Sequence, residues 1–423
     1  MTPNKPVVVI VGGGFGGLAA ARTLKNAPVD VVLIDRSNHH VFQPLLYQVA
    51  TSVLAPGQIA TPIRGALGKN KSTIVILGTV VDIQTGARNV IVDTEDRSGI
   101  PVHYDYLILA TGVRESYFGH DEFREHAPGL KTLADAVALR NRILLAFEMA
   151  EGSEDPARRQ DLLTFVMVGA GPTGVEMASA IAVLIKSTLK RDFRRVDPRS
   201  ARIVLADRSD RVLGAFSPDL SAAAQRRLES LGVELLLGKS VEAIGETGVT
   251  IGGQHIETKT VIWTAGVAPS PAGKWLKAET DKGGRVRVRG DLSVPNLPEV
   301  FVVGDTAYLE QNGKPLPGVA QVALQQGKYA AKVISARVQD EPSPAPFRYF
   351  DKGNLAVVGK GFAVLQTGKV KLSGFMAWLV WAAIHIQFLA TTNLRLSVLV
   401  QWMWTYLTSQ RGSRLIVKHH GDK

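Results

Sequence analysis

Three glycines near the start of the chain have the spacing of a turn that binds a pyrophosphate. Gly12, Gly14 and Gly17 follow the β-branched segment 7–11 and precede a segment that predicts a helix. In such a strand–turn–helix unit the first glycine permits the turn, the second lets a phosphate approach the backbone, and the third lets helix and strand pack closely. The helix is predicted from Leu18 to about Leu24, and its N-terminus faces the anion, with Phe15 in the turn as a further candidate contact.

A carboxylate follows the next predicted strand. Asp35 comes directly after the apolar segment 29–34, where an acid can accept hydrogen bonds from the ribose hydroxyls of a dinucleotide. A flexible loop is the alternative interpretation of a glycine run. A flexible loop would not need a strand before it, a helix after it and an acid after the next strand. Because all three are present, the sequence predicts a nucleotide-binding unit.

The same arrangement occurs a second time. Gly169, Gly171 and Gly174 follow the predicted strand 164–168. A helix is predicted to begin in this turn, at Pro172 and Thr173. Two such units in one chain predict that two dinucleotides bind.

The acid of the second unit indicates which nicotinamide cofactor binds there. Asp207 follows the predicted strand 203–206, and a carboxylate at this position accepts from an adenosine 2′-hydroxyl and repels a 2′-phosphate. The sequence therefore favours NADH over NADPH, although the adjacent Arg208 weakens this preference. We interpret the preceding basic segment 186–202 as a solvated helix extension, with an anionic docking patch as the alternative.

Composition limits the chemistry further. A chain of 423 residues with 45% hydrophobic residues predicts two to three folded domains. The absence of cysteine excludes disulfides, thiolate catalysis and dithiol relays, so redox chemistry requires a bound cofactor. The net charge of +11 favours an anionic partner, and no nucleic-acid-binding motif is present, so we expect a membrane surface. The segment before residue 7 is too short for a targeting peptide, which makes a cytosolic face the expected location.

Three short motifs follow the predicted strands of both units. Residues 107–112 read LILATG, residues 261–266 read VIWTAG and residues 300–305 read VFVVGD. Their order resembles that of flavin-dependent oxidoreductases with two dinucleotide-binding domains. The resemblance implies that FAD binds the first unit, in contact with Ala110, Thr111, Gly112, Gly304 and Asp305. It also implies that NADH binds the second, in contact with Ala265 and Gly266.

Four segments narrow the resemblance to one group within this class. They read GGGFGGL (12–18), VFQPLLYQVA (41–50), GAGPTGVE (169–176) and AQVALQQG (320–327). Over nearly its whole length the chain is similar to the type II NADH dehydrogenases, the non-proton-pumping NADH:quinone oxidoreductases. The resemblance implies that segment 320–327 lies beneath the flavin ring, with Ala320 and Gln321 at the FAD and the quinone beside it.

Two kinds of side chain are candidates for the chemistry. Glu176 lies in the first turns of the second unit's helix, where a carboxylate is also favoured by the helix dipole alone. The resemblance places it near the nicotinamide and the flavin, where it would position the hydride donor and relay a proton. Gln321 and Gln325 share a helix face and are both candidate quinone contacts. The resemblance places Gln321 beside the quinone; solvent-facing glutamines are the alternative.

The C-terminal region has the composition of a membrane anchor. After the proline-rich linker 341–346, the apolar segments 375–390 and 396–407 are each shorter than a membrane span. Both carry tryptophan and are flanked by basic side chains, so we expect in-plane anchoring. Core or dimer-interface helices are the alternative. The tryptophans are Trp378, Trp381, Trp402 and Trp404, and the flanking residues are Lys369, Lys371, Arg395, Arg411, Arg414 and Lys418.

These observations predict an α/β fold. We expect a discontinuous FAD domain (1–118 and 271–346), an inserted NADH domain (119–270) and a membrane-anchoring helical module (347–423). The expected enzyme passes electrons from NADH through FAD to quinone without proton pumping, peripherally on the cytoplasmic face of a bacterial inner membrane. A homodimer is compatible with the tail, and no metal site is predicted.

Two other functions stay open on the sequence alone. One is a soluble NADH-dependent reductase of a protein electron carrier, and the other is a slow-turnover, NADH-sensing flavoprotein of the apoptosis-inducing-factor type. Disulfide reductases and sulfide:quinone reductases need cysteine and are excluded.

Overall fold

The structure is a computed structural model that describes residues 5–68 and 72–417. Lys418, one of the predicted basic flanking residues, lies outside them. The strands are β1 (Val7–Val11), β2 (Asp30–Asp35), β3 (His39–Val41), β4 (Ala60–Pro62), β5 (Thr73–Leu77), β6 (Thr79–Gln84), β7 (Asn89–Asp93), β8 (Ile100–His103), β9 (Tyr106–Leu109), β10 (Val113–Glu115), β11 (Thr164–Val168), β12 (Arg202–Asp207), β13 (Val233–Leu237), β14 (Val241–Gly245), β15 (Gly248–Ile251), β16 (Gln254–Glu257), β17 (Thr260–Trp263), β18 (Val267–Pro269), β19 (Val286–Arg287), β20 (Ser293–Val294), β21 (Leu297–Val302), β22 (Ala307–Tyr308), β23 (Glu310–Gln311), β24 (Lys314–Pro315), β25 (Asn354–Val357), β26 (Ala363–Thr367) and β27 (Val370–Gly374).

The helices alternate with these strands along much of the chain. They are α1 (Phe15–Thr23), α2 (Leu46–Ala50), α3 (Ile63–Leu67), α4 (Phe123–His126), α5 (Leu133–Gly152), α6 (Pro156–Leu162), α7 (Pro172–Val183), α8 (Pro218–Ser230), α9 (Ala272–Leu276), α10 (Ala320–Val338), α11 (Phe375–Phe388) and α12 (Thr392–Thr408). This alternation confirms the predicted α/β class.

The chain forms two compact units. The first comprises Met1–Val41, Thr61–Arg114 and Val267–Lys352. Its main sheet has the strand order β20-β21-β9-β1-β2-β5 and is parallel except for the β20–β21 pair. An antiparallel sheet, β6-β7-β8, belongs to the same unit.

The first unit is organised around a strand that is buried on both faces. Val8 and Ile10 of β1 lie in one apolar cluster with alanines of α1 and α10, while Val9 and Val11 lie in a second cluster with β6 and β7. Burial on both sides explains why segment 7–11 is continuously apolar rather than alternating. The strands that follow β1 in the chain lie first on one side of it (β2 and β5) and then on the other (β9 and β21). The loop after β1 therefore lies where the strand order reverses, which is the usual ligand site in such sheets.

The second unit repeats this plan on a smaller scale. It comprises Phe42–Ala60, Glu115–Gly266 and Gly353–Lys423. Its parallel sheet has the order β13-β12-β11-β17, so the loop after β11 again lies at the reversal. Two antiparallel sheets, β14-β15-β16 and β25-β26-β27, belong to it as well.

The C-terminal segment is part of this second unit. Strands β25 and β26 pack on α7 and α8, and the Gln366 side chain accepts a hydrogen bond from the backbone N–H of Ser217. The Lys371 ammonium pairs with Asp219. Helices α11 and α12 extend from this sheet, and within the described residues no helix is long and apolar enough to cross a membrane.

The expected helix extension of segment 186–202 is present in its first part and absent from the rest. Helix α7 continues directly into the π-helical turn Leu184–Thr188 and the 3-10 turn Leu189–Arg191, and the chain then leaves the helix and makes a separate short turn at Pro198–Ser200. Leu189, at 2% exposure, and Val196, at 8%, are buried, so apolar anchors hold this segment against the unit. The Asp197 side chain caps the start of the later turn, whose first residue is Pro198.

Candidate active site

The first glycine turn has the geometry that its spacing predicts. Gly12 has a φ of +103°, and a Cβ there would lie 2.4 Å from the Ala110 carbonyl oxygen. A Cβ on Gly17 would lie 1.8 Å from the Gly12 carbonyl oxygen, so helix α1 packs on the turn only without a side chain. At Gly14 a Cβ would meet no atom within 4 Å. The backbone there is open on the side from which a phosphate would approach, at the N-terminus of α1, which begins at Phe15.

Asp35 holds this turn in shape. One carboxylate oxygen accepts a hydrogen bond of 2.5 Å from the Gly13 N–H, and the other accepts from the N–H and hydroxyl of Ser37. The acid therefore lies beside the turn at the end of β2, within reach of a nucleotide bound there. These hydrogen bonds give Asp35 a second role, holding the turn in shape, that the glycine spacing did not predict.

The ends of β9 and β21 complete the first unit's site. The Thr111 hydroxyl lies 2.6 Å from the Ser270 hydroxyl and 3.2 Å from that of Thr306, which donates to the Gly112 carbonyl. Gly304 follows β21 with a φ of +72°, and Asp305 is next in the same short turn. The structure thus brings the predicted FAD residues of three distant segments to one end of one sheet.

Helix α10 contributes the glutamines. Its N-terminus lies at Ala320, and a Cβ on Gly327 would lie 2.1 Å from the Gly16 carbonyl oxygen, so α10 crosses α1 in close contact. Gln326 is 1% exposed, and its amide oxygen accepts a 2.7 Å hydrogen bond from the Gly304 N–H. Gln326 therefore fixes the turn that presents Asp305.

Gln321 and Gln325 differ in their contacts. The Gln325 amide makes two hydrogen bonds to the backbone of Phe350, which gives it a structural partner. The Gln321 amide oxygen is buried and has no hydrogen-bond partner among the described residues. A buried polar atom without a partner needs an explanation, and a ligand with a donor group would supply one.

The second glycine turn is nearly a copy of the first. Gly169 has a φ of +107°, and a Cβ on Gly174 would lie 1.8 Å from the Gly169 carbonyl oxygen. At Gly171 a Cβ would meet nothing within 4 Å, so the backbone is open to a phosphate at the N-terminus of α7. Pro172 and Thr173 form the first turn of that helix, where a proline costs no hydrogen bond.

Asp207 also repeats the first unit's acid. Its carboxylate accepts from the N–H of Ala170 at 2.5 Å and from that of Ser209 at 2.7 Å. The residues that follow β17 pack closely against the turn. A Cβ on Gly169 would lie only 2.7 Å from the backbone N of Ala265. Gly266, with a φ of +82°, lies under the Phe118 ring, which would be 2.2 Å from a Cβ there. The predicted NADH residues therefore lie together in the second unit.

Glu176 is partly buried on α7, in the turn after the glycines. Burial raises the pKa of its carboxyl group from 4.5 to about 8, while a long hydrogen bond of 3.4 Å from the Val357 N–H lowers it. Glu176 is therefore mostly protonated at neutral pH. A neutral acid in this position can donate as well as accept a hydrogen bond.

Sequence analysis missed a cluster of functional groups in the second unit. Helix α2 is buried over its whole length, and the Gln48 amide donates to the Tyr47 hydroxyl at 2.9 Å. The Trp402 indole donates to the Gln48 amide oxygen at 2.7 Å, and the Arg411 guanidinium donates to the Thr51 carbonyl at 2.6 Å. The similarity of segment 41–50 to a known family was the available signal, but it assigned no role to Tyr47 or Gln48.

These residues line a pocket with about 700 Å³ of empty volume, including the part that is open to solvent. Its walls are mostly aromatic, with Trp378, Trp381, Trp402 and Tyr406 among them. Trp381 and Trp402 stack with ring centroids 5.0 Å apart. A flat, mainly apolar molecule with a few polar atoms fits such walls.

The structure corrects the interpretation of the tail. Trp381 is 2% exposed and Arg411 is 3% exposed, so these two do not lie at a membrane interface; Trp402 is partly buried, and its indole donates to Gln48. Trp404, at 54% exposure, does remain on the surface. The tail is thus partly core and partly exposed. In the described part of the chain, no group of acidic and histidine side chains has the arrangement of a metal site.

Comparison with known proteins identifies the class. The sequence model of the family "Pyridine nucleotide-disulphide oxidoreductase" matches residues 6–327. Two curated proteins of Mycobacterium tuberculosis are similar over nearly the whole chain. The type II NADH:quinone oxidoreductase Ndh is 45% identical over 98% of this chain and 91% of its own, and NdhA is 44% identical over 97% and 89%.

Solved structures agree at the level of the fold. The structure of NDH2 from Plasmodium falciparum in complex with NADH superimposes with a TM-score of 0.88 at 19% identity, covering 98% of this chain and all of that one. The sulfide:quinone oxidoreductase of Aquifex aeolicus matches with a TM-score of 0.69 at 19% identity, over 92% and 91% of the two chains. The chain belongs to the pyridine nucleotide-disulphide oxidoreductase family and, within it, to the type II NADH:quinone oxidoreductases.

Proposed function

We propose that this chain oxidises NADH and reduces a quinone, with FAD as the resident cofactor. The observation that carries this function is the 45% identity to a curated type II NADH:quinone oxidoreductase over 98% of the chain. Family membership alone would also cover reductases of protein carriers, but the most similar relatives reported above are quinone reductases. The absence of cysteine removes the thiol chemistry of the wider family.

FAD would be held by the first unit. The open backbone at Gly14 and the N-terminus of α1 would take the pyrophosphate, and Asp35 would accept from the adenosine ribose. Thr111 and Asp305 would contact the flavin half of the molecule. When bound, FAD accepts hydride from NADH and returns the electrons to quinone.

NADH would be held by the second unit. Gly171 and the N-terminus of α7 would take its pyrophosphate, and Asp207 would accept from the adenosine 2′-hydroxyl. A 2′-phosphate would place two negative groups side by side, so Asp207 would select against NADPH. Gly266 would contact NADH through its backbone, since the Phe118 ring fills the space that a side chain there would need.

Two polar residues would contact the two substrates, one the nicotinamide of NADH and the other the quinone. Glu176, whose pKa is about 8, would hold the nicotinamide and store a proton beside it. Gln321 would donate through its amide nitrogen to a quinone carbonyl, and its buried amide oxygen, which can only accept, would pair with a hydroxyl of the quinol product. We no longer propose Gln325 as a quinone contact, because its amide is paired with Phe350.

The enzyme would act on a membrane surface, where long-chain quinone is dissolved. Helices α11 and α12 expose many large apolar side chains, including Met376 at 63%, Leu396 at 62% and Leu407 at 79%. These aliphatic groups, more than the tryptophans, support an in-plane anchor, and the charge of +11 favours anionic lipid. We propose the cytoplasmic face of a bacterial inner membrane as the location, with a homodimer as an alternative use of the exposed face.

A steady-state assay of purified protein tests the function. NADH oxidation should proceed rapidly with a short-chain quinone as the sole acceptor and should need no added protein. Activity that depends on an added protein carrier would instead indicate a carrier reductase. Turnover near zero with every acceptor would indicate a sensing flavoprotein.

A further inference from the structure

A chain of directed hydrogen bonds leads from helix α12 to helix α2. The shape of an amide does not distinguish its oxygen from its nitrogen, but an indole N–H can only donate. Since Trp402 donates to Gln48 at 2.7 Å, the Gln48 atom facing it must be the oxygen. The Gln48 nitrogen therefore faces Tyr47 and donates to the Tyr47 hydroxyl at 2.9 Å.

This direction determines where the Tyr47 hydrogen is available. The hydroxyl oxygen already accepts from Gln48, so its own hydrogen is not used in that bond. Among the described residues, the Tyr47 hydroxyl has one hydrogen-bond partner, the Gln48 amide. Tyr47 is 5% exposed to solvent and lines the aromatic pocket of the second unit. A buried donor of this kind needs an acceptor, and a ligand in the pocket can supply it.

The surrounding groups favour a donor role for Tyr47 rather than loss of its proton. Burial raises the pKa of the Tyr47 phenol well above 10, and the negative charge that Glu176 gains above its own pKa of about 8 raises it further; the opposing effects of Gln48 and Arg411 are smaller. The hydroxyl therefore keeps its hydrogen at every working pH. The pocket walls are aromatic, so the ligand should be flat and should carry an acceptor at its polar end.

We infer that Trp402, through the Gln48 amide, orients the Tyr47 hydroxyl, and that Tyr47 donates a hydrogen bond to a carbonyl oxygen of the quinone. This inference rests on the proposed function, which supplies a planar substrate whose polar atoms are acceptors. Tyr47 is then a substrate-binding residue. Gln48 and Trp402 are positioning residues, and the C-terminal helix α12 serves the substrate site as well as the surface.

The test compares variants of the full-length, FAD-loaded enzyme with a short-chain quinone and with ferricyanide. Tyr47→Phe should lower kcat/KM for quinone about tenfold, the effect of one hydrogen bond to a reacting carbonyl. Activity with ferricyanide and the KM for NADH should stay unchanged. Tyr406→Phe is the matched control, because Tyr406 lines the same pocket without a hydrogen bond from its hydroxyl among the described contacts.

Two further variants test the orienting chain itself. Gln48→Glu should match Tyr47→Phe, because a carboxylate only accepts, and both Trp402 and Tyr47 would donate to it. Trp402→Phe should lower quinone kcat/KM about threefold or more, since the amide is then free to turn. Trp378→Phe is its control, because Trp378 lines the same pocket, its ring contacts Phe375 and Tyr406 rather than Trp402, and its indole makes no hydrogen bond among the described contacts.

The outcomes separate this inference from the proposed function. Wild type that reduces ferricyanide but no quinone would overturn the proposed function and this inference with it. Wild type that reduces quinone, with Tyr47→Phe equal to Tyr406→Phe, would overturn the inference alone. A Tyr47→Phe enzyme that also loses ferricyanide activity would assign Tyr47 a structural role. Equal effects of Trp402→Phe and Trp378→Phe would refute the orienting chain.

Discussion

Replacing Glu176 by Gln should remove a specific pH dependence of stability. The folded-state pKa of about 8 lies above the ordinary 4.5, so the native protein holds a proton that the unfolded chain has lost between these values. The stabilisation is complete below pH 4.5, decreases as the pH rises and is gone above about pH 8. From pH 6 to pH 9 the wild type should therefore lose about 3 kcal/mol through this group, at ~1.4 kcal/mol per pH unit.

The neutral amide of Glu176→Gln resembles the protonated acid at every pH, so this variant should lack that loss. For a unit of this size, about 3 kcal/mol corresponds to roughly 6–12 °C in Tm. The assay is thermal unfolding of the FAD-loaded protein at the two pH values, without NADH. Glu148→Gln, a change on the exposed face of α5, is the matched control and should behave as wild type. A Glu176→Gln protein whose Tm falls as much as that of wild type from pH 6 to pH 9 would refute the burial argument.

Three further outcomes follow from the proposed sites. Asp207→Ser should narrow the preference for NADH over NADPH about tenfold by raising efficiency with NADPH; a wild type that uses both equally would contradict the role of the acid. Gln321→Leu should leave reduction of FAD by NADH unchanged in stopped flow and slow reoxidation by quinone about tenfold; equal slowing of both steps would place Gln321 elsewhere. Changing exposed Leu396 and Leu407 to Glu should weaken liposome binding by about a hundredfold or more without loss of FAD, since each buried leucine contributes ~1.5–3 kcal/mol. High salt should release the wild type poorly, and a wild type that does not bind liposomes would refute the anchor.

The local units of the fold could be predicted because their signals lie within a few residues. The spacing of Gly12, Gly14 and Gly17 encodes a turn, an open approach and a close packing contact, and the structure has all three. The acids after the second strands, Asp35 and Asp207, could be found in the same way. Their hydrogen bonds to the glycine turns could not, because the pattern specifies position but not which of several donors the carboxylate meets.

The tail shows where sequence reasoning fails. Tryptophan and arginine next to apolar residues suit a membrane interface and a protein interior equally well. Trp381 and Arg411 became core residues because distant segments of the second unit cover them, and Arg411 donates to backbone carbonyls of Thr51 and Ala180. Segment 186–202 misled for a similar reason, since Leu189 and Val196 are isolated apolar residues in a basic segment and show no period.

The most direct test of the account follows the flavin spectrum through one turnover without oxygen. Mixing the purified, FAD-loaded protein with one equivalent of NADH should bleach the flavin absorption, and adding a short-chain quinone should then restore it and yield quinol. Both phases should be fast enough to support the steady-state rate. Bleaching that quinone does not reverse, or a protein that carries no FAD, would contradict the claim that this chain transfers electrons from NADH to quinone.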